Sequence, residues 1–231
     1  MLPATAARAV QAINKTVPLI FLSQTDPVMA GLVTSLNRPG GNATGVSLLA
    51  AQLIGKRLDI VRQLAPGKVT ALLRNPTAAE AASQLGEVLE AAHEVGQQIQ
   101  VLDASTLSEI EAALAAFAKT TASTLILPSD PFLFSHHRRI VELAALHAIP
   151  AIYDRREFTL AGGLMSYGTQ LSDAYRLIGI YTGKILKGAK PADLPVQQVA
   201  SFEFVINLKA ARAIGLTIPP TVLALADEVI E

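Results

Sequence analysis

Acidic and amide side chains stand just past several short apolar segments of this 231-residue chain, where buried strands would end. Asp26, Asp130 and Asp154 follow three of these segments, and Asn75 follows a fourth. In open α/β sheets, ligands bind outside the carboxyl ends of the strands, so these side chains could converge on one crevice. A carboxylate in that crevice could accept a charge-assisted hydrogen bond from a ligand ammonium group.

The same residues also fit the starts of helices. Asp26, Asn75 and Asp130 are each followed directly by proline. An Asp or Asn at a helix start accepts hydrogen bonds from the first N–H groups, and proline fits the first helical position. A residue can cap a helix and face the crevice at once, so both interpretations stay open.

Apolar and aromatic residues stand at the same strand ends. They are Phe132, Phe134, Tyr153, Met165 and Tyr167. Residues of these types ordinarily belong to the core. Their position favours a ligand-facing role for two or three of them, against the apolar body of a small ligand.

No catalytic motif is recognisable. Neither the G-x-x-x-x-G-K-[ST] phosphate loop nor a G-x-G-x-x-G following a strand is present. Ser166 stands three residues after a glycine, whereas the nucleophile elbow needs two. The chain has no cysteine, and its four histidines lack metal-ligand spacing, so thiolate and histidine metal sites are not expected. We therefore expect no catalytic residue, no metal and no cofactor.

The amino-acid composition argues against some classes of binding partner. The 19 basic and 19 acidic residues give a formal net charge of zero, which provides no electrostatic attraction for nucleic acid. Hydrophobic residues make up 51% of the chain, but they come in blocks too short to span a membrane. The sequence therefore predicts a packed protein that does not bind nucleic acid.

Short β-branched segments alternate with helical patterns, which is typical of an α/β protein with parallel sheets. The predicted strands are Val17–Leu22, Ala43–Leu48, Val69–Leu73, Ile99–Leu102, Thr124–Leu127, Ala151–Tyr153, Leu164–Tyr167 and Val199–Ile206. The predicted helices cover Val28–Leu36, a segment with Leu53, Arg57, Ile60, Val61 and Leu64 on one face, Ala78–Val95, a segment that starts at Thr106, Ser135–His147, Leu171–Leu186 and Leu208–Ile214.

Eight segments carry a resemblance to a known family. They are Val17–Phe21, Thr25–Val28, Leu36–Gly45, Asp130–Arg138, Ile149–Tyr153, Ala161–Gly168, Lys184–Val196 and Phe204–Lys209. In this order they resemble the bacterial ABC-transporter substrate-binding proteins of the tryptophan/tyrosine-uptake type. The resemblance extends from about Ala4 to Glu231.

This resemblance implies an α/β, two-lobed type I periplasmic-binding-protein fold, with parallel-sheet sandwich lobes joined by crossover strands. The first lobe would comprise residues 1–48 and 168–195, and the second residues 49–167 and 196–231 with the crossovers. A small amphipathic ligand, either an aromatic or hydrophobic amino acid or an aromatic carboxylate, would bind in the cleft between the lobes. The protein would deliver it to an ABC permease from the periplasm or another extracytoplasmic location.

The resemblance also implies a set of ligand-binding residues. These are Thr25, Asp26 and Pro27 in the first lobe, and Asn75, Asp130, Phe132, Tyr153 and Tyr167 in the second lobe and hinge. Asp130 would accept from a ligand ammonium, and the rings would sandwich its apolar body. If the ligand is an aromatic acid without an amine, Arg155 or Arg156 becomes a stronger candidate for the site.

Family members usually begin with a signal and further strand–helix units. The first residues here lack a basic segment and a long apolar segment, so the sequence as given carries no signal, and we expect an N-terminally truncated first lobe. Exposed sheet edges pair readily, which favours a homodimer through that lobe. Two alternatives stay open, namely a cytoplasmic ligand-sensing or interaction domain of the same fold and an α/β enzyme of unrecognised type.

Overall fold

A computed structural model of the chain describes residues 2–24, 26–48, 52–65, 69–78, 80–120 and 124–231. The chain forms two compact units. Unit 1 contains Met1–Ala51 and Thr169–Phe202, and unit 2 contains Gln52–Gly168 and Glu203–Glu231. The chain therefore passes between the units after residues 51, 168 and 202. The division into lobes at 1–48 with 168–195 and at 49–167 with 196–231 stays a prediction.

The elements follow one another in α/β order. In the described residues they are β1 (Leu2–Pro3), α1 (Ala4–Ile13), β2 (Leu19–Ser23), β3 (Ala43–Leu48), α2 (Gln52–Leu64), β4 (Thr70–Arg74), α3 (Ala81–Glu94), β5 (Ile99–Asp103), α4 (Leu107–Phe117), β6 (Thr124–Ile126), α5 (Pro131–Ser135), α6 (His137–Leu146), β7 (Ala151–Tyr153), α7 (Arg156–Leu160), β8 (Met165–Thr169), α8 (Leu171–Leu186), a 3₁₀ turn (Pro191–Asp193), β9 (Gln197–Val199), β10 (Phe202–Asn207), α9 (Leu208–Ala213), α10 (Pro220–Leu223) and β11 (Glu228–Ile230). No helix in the described part of the chain is both long and apolar enough to cross a membrane.

Unit 1 is built on a parallel sheet in the order β1-β2-β3-β9. Strand β3 is buried along its whole length, which fits a central strand covered on both faces. Phe21 and Ala43 belong to one core cluster of this unit, and Val46 and Ile178 belong to another. Gly45 lets β3 lie close to β2, because a Cβ there would come within 2.1 Å of the Phe21 carbonyl oxygen.

Unit 2 is built on a sheet in the order β11-β10-β8-β7-β6-β4-β5. Strands β4 to β8 pair in parallel with their neighbours, as do β10 and β11. Between β8 and β10 the Asn207 N–H donates to the Leu164 carbonyl, and at the other end the Gln170 N–H donates to the Ser201 carbonyl. These two bonds fit an antiparallel pair.

Alternating residues of the unit 2 strands enter two cores, one on each face of the sheet. Leu73 packs in a cluster with residues of α4, α5 and α6, whereas the neighbouring Leu72 packs in a cluster with residues of α2, α3 and α10. Both faces of the sheet are therefore covered, and its carboxyl edge is where the connecting loops begin.

Helix starts follow the sequence signals closely. The Thr106 side chain accepts from the Glu109 N–H at the start of α4, and the Asn207 side chain accepts from the Ala210 N–H at the start of α9. Gly215, just after α9, has a φ of 67°, the left-handed conformation that glycine adopts without strain. Helix α8 has the predicted bounds, Leu171–Leu186.

The helix predicted for Val28–Leu36 is wrong, because this segment forms turns. The Ala30 N–H donates to the Asp26 carbonyl, and the Leu32 N–H donates to the Pro27 carbonyl. Gly31 then takes a φ of 69°, so the helical conformation ends after a single turn.

The strand predicted for Val199–Ile206 is also wrong, because two strands occupy this stretch. Strand β9 ends at Val199 and pairs with β3 in unit 1, whereas β10 begins at Phe202 and pairs with β11 in the other sheet. The mixed alternation of apolar and polar residues in this segment gave no sign of a change of sheet. The helix predicted for Ser135–His147 is likewise interrupted at His136, which separates α5 from α6.

Candidate functional site

The carboxyl edge of the unit 2 sheet gathers five of the predicted site residues. Asn75 directly follows β4, Asp130 lies four residues beyond β6, and Tyr153 is the last residue of β7. Phe132 lies in α5, just after Asp130, and Tyr167 lies in β8. Because β4, β6, β7 and β8 run parallel, their carboxyl ends share this edge of the sheet.

Asp130 caps α5 and keeps part of its carboxylate unpaired. Its Oδ1 accepts from the Leu133 N–H at 2.8 Å, and Pro131 occupies the first turn. The residue is 4% exposed, yet Oδ2 makes no hydrogen bond or ion pair with a described residue. The cap and the crevice interpretations are therefore compatible at this position.

Tyr153 is packed in the core of unit 2. Its ring stacks on Phe158 with centroids 4.6 Å apart, and the residue is 1% exposed. Burial raises the pKa of its hydroxyl. That hydroxyl makes no hydrogen bond with a described residue. The ring is therefore a core residue, and the hydroxyl alone is left to bond to a ligand.

A polar cluster joins the loops that follow β6 and β7. Arg155 Nε donates to Asp154 Oδ2 at 3.1 Å, and Arg155 Nη2 donates to Ser129 Oγ at 3.2 Å. The guanidinium also lies 4.6 Å from the centre of the Phe134 ring, within the range of a cation–π contact. Arg155 thus holds both loops and one aromatic residue in place.

Tyr167 lies beside the first helix of unit 2. Its carbonyl oxygen accepts from Arg57 Nε at 2.7 Å, and its ring meets the Phe204 ring edge-on at 6.0 Å. Burial and the Asp227 carboxylate raise the pKa of its hydroxyl, and Arg57 lowers it. The neighbouring Gly168 lies close to the end of β7, since a Cβ there would be 1.8 Å from the Asp154 carbonyl oxygen.

Phe132 and Asn75 occupy less buried positions. The Phe132 ring is partly buried against the core and lies 4.7 Å from the His136 ring. Asn75 Oδ1 accepts from the Thr77 N–H and hydroxyl, so this side chain shapes a turn before α3 begins at Ala81. Its Nδ2 group makes no hydrogen bond within the described residues and is left to donate to a ligand.

The predicted residues of unit 1 follow β2. The exposed Asp26 accepts from the Val28 and Met29 N–H groups at 2.7 and 3.3 Å, while Pro27 is buried. Thr25 lies outside the described residues. Ser47, near the carboxyl end of β3, was not predicted; it is 4% exposed, and its hydroxyl has no hydrogen-bond partner in the described residues.

Groups that could carry out catalysis are sparse in the described residues. Ser166 Oγ is buried without a hydrogen-bond partner, so no described base is placed to activate it. The described ranges contain no group of three or more His, Asp or Glu side chains that could hold a metal ion. What the described edge offers is a set of polar contacts suited to binding.

Comparison with known proteins decides the family. A family model described as "ABC transporter substrate binding protein" matches residues 2–230. The chain belongs to the ABC transporter substrate-binding protein family. The resemblance indicated by the sequence is thereby confirmed.

Two proteins of known structure share the fold. A Streptococcus pneumonia ABC domain in complex with L-Trp is 28% identical, with a TM-score of 0.85 over 99% of this chain and 78% of that chain. A conserved domain protein from Vibrio cholerae is 27% identical, with a TM-score of 0.87 over 98% of this chain and 76% of that one. The α/β fold of type I periplasmic binding proteins, with mainly parallel sheets, is confirmed.

One relative is named for the ligand that it binds. The "Tyrosine-binding protein" of Clostridioides difficile is 27% identical over 212 residues, which cover 91% of this chain. The present chain spans 61% of the length of that substrate-binding protein.

Proposed function

We propose that this chain is the solute receptor of an ABC importer and that its ligand is an aromatic L-amino acid. The carboxyl edge of the unit 2 sheet contributes to the site. The observation that carries the proposal is Asp130, a buried carboxylate whose Oδ2 has no hydrogen-bond or ion-pair partner among the described residues. Relatives that are named for tyrosine, or solved with L-Trp, support the same ligand class.

An ammonium group is the chemical partner that Asp130 Oδ2 lacks. Burial of a carboxylate without a cation is unfavourable, and the described residues place no Lys or Arg in an ion pair with Asp130. A ligand ammonium would supply both the counter-charge and a charge-assisted hydrogen bond. An α-amino group therefore fits this position better than a neutral or acidic group does.

Aromatic residues at the same edge fit the apolar part of such a ligand. Phe132 is partly buried and lies just after Asp130 in α5, and Phe134 is held by Arg155. The Tyr153 hydroxyl and the Asn75 Nδ2 group supply hydrogen-bonding groups around these rings. Rings with a few placed polar groups are typical of small-molecule sites.

The family supports the remaining parts of the proposal. A substrate-binding protein acts outside the cytoplasm and hands its ligand to a membrane permease, so we propose both for this chain. The ligand leaves chemically unchanged, and no enzyme activity is proposed. The homodimer through the edge of the unit 1 sheet stays a prediction.

A thermal-shift panel tests this function. We would measure the melting temperature with L-tyrosine, L-tryptophan, L-phenylalanine, L-leucine, tyramine and phenylacetate. A ligand at about a hundred times its dissociation constant adds roughly 2.7 kcal/mol of stability. We expect shifts for the aromatic amino acids and a weaker shift for phenylacetate, which lacks the amine. A shift with phenylacetate alone, or with none of the six, would refute the proposal.

A further inference from the structure

Arg57 is a buried cation with unused hydrogen-bond donors. It lies in the second turn of α2 and is 4% exposed. Its Nε donates to the Tyr167 carbonyl at 2.7 Å. Neither Nη group makes a hydrogen bond or ion pair with a described residue. The side chain is therefore buried, and its two Nη groups are left to donate to a ligand.

The guanidinium lies at the carboxyl edge of the sheet. Tyr153 pairs in register with Ser166, so the next residues along, Asp154 and Tyr167, are neighbours at the ends of β7 and β8. Because Arg57 is bonded to Tyr167, its guanidinium is at the level of the loops that carry the candidate site.

The charges around Arg57 do not balance. Burial lowers the pKa of Arg57, while the nearby Asp154 and Tyr167 raise it. Asp154, however, forms its ion pair with Arg155 at 3.1 Å. The Asp154 carboxylate therefore lies near two guanidinium groups, and among the described residues Arg57 has no carboxylate of its own within ion-pair distance. An anion placed here would remove an uncompensated buried charge.

The other arginines of this edge are already occupied. Arg74 and Arg156 form ion pairs with carboxylates, and Arg155 uses Nε and Nη2 within the polar cluster. Arg57 is thus the arginine in the described part of this edge that has no carboxylate within ion-pair distance and both Nη groups unpaired.

We propose that Arg57 binds the carboxylate of the ligand through its two Nη groups. This inference rests on the proposed function and adds a site residue and a required ligand group to it. The planar guanidinium can donate two parallel hydrogen bonds to one carboxylate. The site then takes a zwitterion, with the ligand ammonium at Asp130 and the ligand carboxylate at Arg57.

The strand order suits that assignment. Asp130 follows β6, Arg57 is bonded to β8, and β7 lies between these two strands. Two strand spacings amount to roughly 10 Å. A zwitterionic head group with a charge-assisted hydrogen bond of about 2.8 Å at each end covers a comparable span.

A purely structural role for Arg57 makes a different prediction. If Arg57 only held β8 in place through the Tyr167 carbonyl, its replacement would weaken the binding of every ligand equally. The test therefore compares ligands that differ in the carboxylate alone. L-tyrosinamide keeps the ring and the ammonium of L-tyrosine but replaces the carboxylate with a neutral amide.

The experiment is calorimetric titration of the full chain with L-tyrosine and L-tyrosinamide. We expect wild type to bind the amide roughly tenfold to a hundredfold more weakly, the loss of a charged hydrogen bond. In Arg57→Met, L-tyrosine should bind about as weakly as the amide does, while the amide affinity stays within about twofold. Arg62→Met, an exposed position of the same helix, is the control and should match wild type.

Each outcome decides the matter. Equal binding of both ligands by wild type overturns the role of Arg57 and leaves the proposed function standing. An equal loss of affinity for L-tyrosine and L-tyrosinamide in a folded Arg57→Met also overturns the role of Arg57. Binding of neither ligand by wild type overturns both proposals. If Arg57→Met does not fold, Arg57→Lys replaces it, because lysine keeps the charge but cannot donate two parallel hydrogen bonds to one carboxylate. A folded Arg57→Lys should lose part of the preference for L-tyrosine over L-tyrosinamide, and an undiminished preference would overturn the role of Arg57.

Discussion

Arg57 Nε donates a hydrogen bond to the Tyr167 carbonyl oxygen at 2.7 Å, which ties α2 to β8. Helix α2 is the first element of unit 2, and the chain leaves this unit after Gly168. The bond therefore joins the helix by which the chain enters the unit to the strand by which it leaves. It also keeps the backbone beside the candidate site in a defined position.

Replacement of Gly168 by alanine should distort this region. A Cβ at this position would lie 1.8 Å from the Asp154 carbonyl oxygen, so β7 and β8 would have to separate. We expect Gly168→Ala to lower the free energy of unfolding by about 1–3 kcal/mol and to weaken binding of L-tyrosine. Urea unfolding and calorimetry measure the two effects.

The control for that change is Gly86→Ala in α3, where no atom lies within 4 Å of the new Cβ. Alanine should stabilise this helix by up to about 1 kcal/mol. If Gly168→Ala unfolds at the same urea concentration as Gly86→Ala, the close approach of the two strands is contradicted.

The Tyr153 hydroxyl can be tested with little disturbance of the core. Tyr153→Phe keeps the ring stacked on Phe158 and removes a hydroxyl that has no hydrogen-bond partner in the described residues. We expect stability to stay within about 0.5 kcal/mol and binding of L-tyrosine to weaken by about 0.5–1.5 kcal/mol, the value of a neutral hydrogen bond. Tyr175→Phe, at an exposed position of α8, is the matched control. An unchanged affinity would remove Tyr153 from the site.

The pH dependence of stability should change when Glu80 is replaced. Burial, and then repulsion by Glu87, raises the pKa of the Glu80 carboxyl above its usual 4.5. The folded chain therefore binds this proton more tightly than the unfolded chain does. The contribution of Glu80 to stability is full below the pKa of the unfolded chain and is lost as the pH rises through the higher pKa of the folded chain.

Glu80→Gln removes this loss. We expect the variant to exceed wild type in free energy of unfolding at pH 7 and to lose that advantage below about pH 4. Urea unfolding across this pH range measures the difference, with Glu90→Gln on the exposed side of α3 as control. A constant difference at all pH values would contradict the assignment.

Most of the fold could be predicted because local signals agree with the tertiary structure. The strands of unit 2 are apolar and bounded by Pro, Gly, Asn or Asp, and the Thr106 and Asn207 caps form as their spacing indicates. The failures have a tertiary cause. Periodicity cannot show that Val199 and Phe202 pair in different sheets, since both lie in one short segment of mixed alternation.

The candidate site could be predicted in part. Residues that follow strands, such as Asp130, are found at the carboxyl edge because strand ends are visible in the sequence. Arg57 was missed because it lies on a helix, far along the chain from the strand that it contacts. A signal was present all the same, since Arg57 shares a helical face with Leu53 and Ile60, where an apolar residue is expected.

The central claim is that Asp130 receives the ligand ammonium. Asp130→Asn tests it directly, because asparagine caps a helix as well as aspartate does but carries no charge. Calorimetric titration of wild type and variant with L-tyrosine, with Asp59→Asn on the exposed face of α2 as control, is the measurement. We predict that Asp130→Asn melts as wild type does and binds L-tyrosine more weakly by about 1.5–3 kcal/mol. An unchanged affinity in the folded variant would contradict the account.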